Sequence, residues 1–145
     1  MRTGLYTTLA CWALLLAGLH GQQPAPASST GALDYEFFKS RVQPIFVAKR
    51  PGHARCVACH GQGTPLRLQP LPAGAANWNE EDSQKNFQAV SRVAQPGNAK
   101  SRLLIHPLDE KAGGDFYHNG GKHWSSQNDA EWQILRMWVM GPAAK

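Results

Sequence analysis

The sequence predicts a small all-α domain whose helices are joined by long glycine- and proline-rich loops. Three observations predict it. Three segments carry apolar residues at helical spacing, and each starts at a side chain suited to cap a helix N-terminus. All 14 glycines of the 145-residue chain fall outside those segments. No parallel-strand pattern surrounds the cysteine pair Cys56 and Cys59. At this length one domain is expected.

Taken in order, Arg2 gives a short positive start and Leu5 to Leu19 a mostly apolar run of signal-peptide length. That run is too short for a comfortable membrane span. Residues 1–21 therefore read as a leader, cleaved somewhere in 21–27 at Gly21, Ala25 or Ala27; an uncleaved anchor is the alternative. Cys11 sits behind a poor lipobox, Thr8-Leu9-Ala10, and leaves with the leader. Residues 22–32 form a low-complexity tether without apolar periodicity, and 33–145 form the domain.

Asp34 caps the first predicted helix, whose apolar face holds Phe37, Phe38, Val42, Ile45 and Phe46. Pro44 falls inside it and should kink or shorten it. Lys49-Arg50-Pro51-Gly52 ends it. Residues 61–76 read as a loop in which Leu66, Leu68 and Leu71 could pack on a bound cofactor. A second helix spans 80–94, capped by Asn79, presenting Phe87, Val90 and Val93 and stopped by Gln95-Pro96-Gly97. Ser101 opens a short turn through Leu103, Leu104 and Ile105. Asn128 and Glu131 make a capping-box-like start to the last helix, with Trp132, Leu135, Trp138 and Val139 on its apolar face and Gly141-Pro142 at its end.

The chemistry lies in Cys56-Val57-Ala58-Cys59-His60. C-x-x-C-H is the attachment signature of a covalently bound c-type haem. Two thiols three residues apart can each add to a vinyl group, and the histidine after the second supplies an axial imidazole to iron. A bare C-x-x-C also fits a redox dithiol or half a zinc site. The first wants a βαβ context and the second another ligand pair at finger-like spacing. The only other cysteine, Cys11, lies in the leader.

Export and haem support each other. After cleavage both remaining cysteines are committed to haem, so no structural disulfide can form. A secreted chain of about 120 residues then needs another source of core, and one buried haem c per chain provides it. The net charge of +5 and the basic residues Lys39, Arg41, Lys49, Arg50 and Arg55 near the motif could steer an acidic redox partner. Such charges are more often a solvated surface. Nothing resembles a nucleic-acid fingerprint, and the mature chain carries no membrane span.

The ordered landmarks resemble a known family. A helix before the haem motif and an aromatic-rich helix at the C-terminus resemble the class I cytochrome c arrangement, in which those two helices cross. Phe37-Phe38, Val42-Gln43-Pro44-Ile45-Phe46 and Cys56-x-x-Cys59-His60 look like the start of the planctomycete-type cytochrome c domain. Pro96-Gly97, Ser101-x-Leu103-Leu104, His118-Asn119-Gly120-Gly121, and Asp129 with Leu135-x-x-Trp138-Val139 match its later landmarks. The match covers about residues 34–141; only the haem pentapeptide is highly specific. Asn119 alters the usual glycine-rich stretch, and no methionine occurs in the loop before the last helix, where class I cytochromes place their distal ligand.

The sixth iron ligand decides the chemistry. The candidates are His118, His123, His106, Met137 and Met140, with His53 remote. Met140 reads as packing and Met137 as packing or surface. His118 ranks first because it falls on the H-x-G-G stretch that resembles the family; His123 and His106 are the alternatives. The resulting expectation is an exported monohaem electron-transfer protein, not an enzyme, made by the haem maturation machinery and exchanging electrons with redox proteins in the periplasm or outside the cell. The alternatives are a haem subunit of a periplasmic oxidoreductase, or a haem enzyme or gas sensor with an open distal site.

Overall fold

The computed structural model describes residues 31–141. The expected leader, most of the tether, Cys11 and Pro142 lie outside the described residues. Among the described residues there are helices and no strands; a single bridge joins Leu108 and Trp124. The all-α expectation holds at that level. No helix among them is long and apolar enough to cross a membrane.

Helix α1 covers 35–47 as three abutting pieces, Tyr35–Phe37, Phe38–Val42 and Gln43–Val47. Asp34 caps it as expected, its carboxylate accepting from the Phe37 amide at 2.9 Å. Pro44 does not end it. The middle piece, Phe38–Val42, is a wide π turn, with the Gln43 amide donating to the Phe38 carbonyl. Proline has no N–H to give Ser40 and its ring would crowd that carbonyl, so the turn just before it opens. The helix then runs on until the Ala48 amide meets the Pro44 carbonyl at 3.1 Å.

Helix α2 is Cys56–His60, and α3 is Glu80–Ala94, matching the expected span. Asn79 caps α3 through the Asp82 amide at 2.8 Å. Glu80, Glu81 and Asp82 fill its first turn, where the helix dipole favours negative charge. Its buried face also uses Ser83 and Asn86, two polar residues outside the expected stripe. Gln43 of α1 donates to Ser83 Oγ at 3.0 Å, and Asn86 accepts from the Gln69 amide at 2.7 Å. These bonds tie α1, α3 and the 61–76 loop together across the core.

Helix α4 is Arg102–Ile105, behind Ser101, whose side chain makes no capping bond. Helix α5 is Ala130–Met140. Its cap is Asp129, not Asn128: the Asp129 carboxylate accepts from the Glu131 and Trp132 amides. The Asn128 amide instead donates to Ser126 Oγ at 3.1 Å. An aspartate one residue later brings both a carboxylate and its charge to the dipole, so it takes the position. Gly141 ends the helix at φ +75°.

Helices α1, α3 and α5 pack through aromatic rings. Phe38 is fully buried against Phe87 and Trp138, with ring centres 5.4 and 5.3 Å away. Two indoles close the frame by hydrogen bonds, from Trp138 to the Asp34 carbonyl at 2.7 Å and from Trp132 to the Leu104 carbonyl at 3.0 Å. Trp78, Trp124, Trp132 and Trp138 are all buried. Leu68 is core as well and does not face the cavity described next, whereas Leu66 does.

Candidate cofactor site

A short helix puts residues i, i+3 and i+4 on one face. In α2 those residues are Cys56, Cys59 and His60, and all three line one open cavity of about 590 Å³. That lies within the roughly 300–1,000 Å³ of ligand pockets. Phe46, Leu66, Leu103, Trp124 and Leu135 supply its apolar walls, and its charged groups are Arg55 and Arg102, with no carboxylate. Cys56 is half-buried and Cys59 exposed, both as free thiols. Burial pushes the Cys56 thiol up.

His60 is fixed by the chain that follows it. Its Nδ1 lies 2.9 Å from the Leu66 carbonyl and 2.7 Å from Thr64 Oγ1. A carbonyl only accepts, so Nδ1 carries a proton, and in the neutral ring Nε2 is the nitrogen with the lone pair. Gly61 allows the tight exit, since a Cβ there would sit 2.7 Å from the Val57 carbonyl.

Across the cavity stands the segment 106–124, with His106, His118 and His123 all in the lining. His118 occupies a turn closed by the Gly121 amide on the His118 carbonyl at 2.9 Å. The ring repeats the link in reverse: His118 Nδ1 donates to the Gly121 carbonyl at 2.6 Å. Its Nε2 is therefore also left as a lone pair. Burial holds His118 below the usual histidine range, with His106, His60 and Lys122 nearby adding to that. A neutral ring is the metal-binding form.

The His60 and His118 ring centres are 6.2 Å apart with planes 27° from parallel. Two imidazoles sharing one metal through bonds of about 2 Å have ring centres about 6 Å apart. The pair, the two thiols and the apolar walls are residues that could hold an iron macrocycle. Among the described residues no three His, Cys, Asp or Glu side chains group to hold a bare metal ion.

The other candidates separate clearly. His106 has both nitrogens engaged, Nδ1 with Asp115 at 2.7 Å and Nε2 with Arg102 at 3.3 Å. His123 lies beside His118, ring centres 5.5 Å apart, and its Nδ1 is buried without a partner. Burial above all, with the nearby His118 and Arg50 adding to it, brings its pKa down to about 4. Met137 is 42% exposed and absent from the cavity lining, as the surface reading expected; it faces solvent because α5 turns its tryptophans inward. Met140 packs at the core edge, and His53 stacks on His123 outside the lining.

Several site residues were not foreseen. Lys122 reaches under the loop to the His106 carbonyl at 3.0 Å and the Asp115 carboxylate at 3.1 Å. Thr64 and Asp115 orient histidines, and nothing in their spacing announces it. Arg50, expected among solvated charges, is instead half-buried in an ion pair with Glu131. Comparison with protein-family models, curated proteins and solved structures finds no match.

Proposed function

We propose that the chain is an exported monohaem c-type cytochrome that passes single electrons between redox partners. The observation that carries this reading is the facing pair His60 and His118, each with Nδ1 satisfied by a carbonyl, across a cavity that Cys56 and Cys59 also line. When bound, haem c would supply an iron that changes oxidation state by one electron. Cys56 and Cys59 would hold it as thioethers, and His60 and His118 would ligate its iron. Phe46, Leu103, Trp124 and Leu135 would give it an apolar surround. Arg55 and Arg102 at an opening free of carboxylates suit an acidic redox partner. The contact of α1 with α5 through Phe38 and Trp138 is compatible with two helices that cross, as the class I cytochrome c resemblance implies.

A second reading, a haem enzyme or gas sensor, draws on one observation. The unpartnered Nδ1 of His123 beside His118 could serve a small exogenous ligand.

One preparation separates the two. The chain is produced with the haem c maturation machinery, weighed intact, and its absorption recorded into the near infrared in both redox states. The expected result is one covalent haem and a low-spin six-coordinate spectrum without a thioether-to-iron band, turning high-spin in His118→Ala. A chain without covalent haem, or one showing the thioether band, would overturn the assignment. A high-spin wild-type spectrum that shifts with carbon monoxide would install the second reading.

A further inference from the structure

Arg50 precedes the cysteine motif by six residues and does more than break a helix. Its guanidinium touches four separate parts of the molecule. One nitrogen, Nη2, donates to the Ile45 carbonyl at 3.0 Å, near the end of α1. Nε donates to Glu131 of α5 at 2.5 Å. The plane sits over the Trp124 ring, 5.4 Å from its centre. The remaining nitrogen, Nη1, lies 3.8 Å from the sulfur of Cys56. Glu131 holds the other end, accepting also from the Trp124 indole at 3.3 Å. The Arg50 side chain is 12% exposed and that of Glu131 32% exposed, so water screens the pair only in part.

Both charges are felt at the sulfur, with opposite signs. Beneath the dominant effect of burial, Arg50 pulls the Cys56 thiol down and Glu131 pushes it up. A partly buried pair of this kind is weak evidence for stability, since desolvation offsets much of its attraction. Its position against a cofactor anchor calls for another role.

We propose that Arg50 and Glu131 are a potential-setting pair for the redox group anchored at Cys56, with Arg50 as the positioning residue that holds a fixed positive charge against the anchoring sulfur. The assignment rests on the cytochrome reading above. Reduction adds one electron to the group, so a nearby cation favours the reduced form and a nearby anion the oxidised form. Arg50 touches the sulfur and Glu131 does not, so the cation dominates.

The test is the midpoint potential of the haem-loaded chain by spectroelectrochemistry, in wild type, Arg50→Gln, Glu131→Gln and the double variant. Arg50→Gln should lower the midpoint and Glu131→Gln raise it, each by a several-fold change in the reduced-to-oxidised ratio at fixed poise. The double variant should lie below wild type but above Arg50→Gln, because the nearer cation outweighs the anion. Arg50→Lys keeps the charge, and should hold the midpoint while lowering the unfolding temperature; with Glu131→Gln it decides the matter even where Arg50→Gln does not fold. A merely structural pair would move both single variants the same way or leave both midpoints in place, and either result would overturn the proposal. A wild-type chain without covalent haem would overturn it together with the cytochrome reading. An unchanged midpoint with haem intact would overturn it alone.

Discussion

His60 and His118 face one cavity from walls that are held in different ways. His60 leaves a five-residue helix and is caught within six residues by Thr64 and the Leu66 carbonyl. Its wall is local. His118 belongs to residues 106–124, where the only regular element is the short turn Glu110–Ala112. That wall stands because Lys122 reaches His106 and Asp115, Asp115 reaches His106, and the His123 amide reaches the Pro107 carbonyl at 2.8 Å. The difference shows that one histidine is placed by spacing and the other by a mesh of polar contacts.

Both walls lean on the helical frame, so breaking the frame should have the largest effect and erase the contrast. Phe38→Ala removes a fully buried ring from between α1, α3 and α5. Denaturant unfolding should register a loss of about 3–5 kcal/mol. A loss well under that would mean the walls do not depend on the frame.

Gly114→Ala should injure the far wall alone. A Cβ there would come 1.9 Å from the Leu108 carbonyl, a backbone atom that cannot swing aside. The expected cost is about 1–3 kcal/mol. Hydrogen exchange should quicken at the amides of Asp109 and Asp115 and stay unchanged at Gly61 and Leu68. Equal quickening on both sides would dissolve the distinction.

Asp115→Asn probes the mesh by pH. Burial raises the Asp115 carboxyl, but hydrogen bonds from His106 and Lys122 outweigh that and hold it below its ordinary value of 3.8. A depressed carboxylate contributes stability that is whole above the ordinary value and lost as pH falls through the folded one. The variant should therefore cost about 1 kcal/mol near neutrality. Its stability should also fall less steeply than wild type below about pH 4. Parallel acid limbs would show that Asp115 carries no such linkage. Smallest of all, Thr64→Val should cost about 0.5–1 kcal/mol, because the Leu66 carbonyl still holds His60. A larger loss than that of Asp115→Asn would reverse the ranking of the walls.

The same contrast explains what the sequence made legible. Asp34, Asn79 and the apolar stripes act within one or two turns, so both early helices and their caps could be read directly. Cys56, Cys59 and His60 share one helix face by spacing alone. Asp129 takes the cap expected of Asn128, a shift of one residue that local pattern does not reveal. Arg50 and Glu131 are 81 residues apart, and Lys122 lies 16 from the carbonyl it holds. Such pairings are made by the fold and leave no period in the chain. Leu68 was misplaced for the same reason: which face of an apolar stretch meets the cavity depends on its neighbours.

The wide turn at Phe38–Val42 has a consequence for descent. Eight residues separate Phe38 from Phe46, which in a regular helix would point about 80° apart. Absorbing one extra residue brings them to within about 20°, onto a shared face. The turn thus has the form of a single-residue insertion accommodated without disturbing the rings on either side. A sister sequence lacking Pro44 and one residue shorter here would thread the same core as an unbroken helix. An alignment should open its gap inside 38–42, where the backbone already keeps the place.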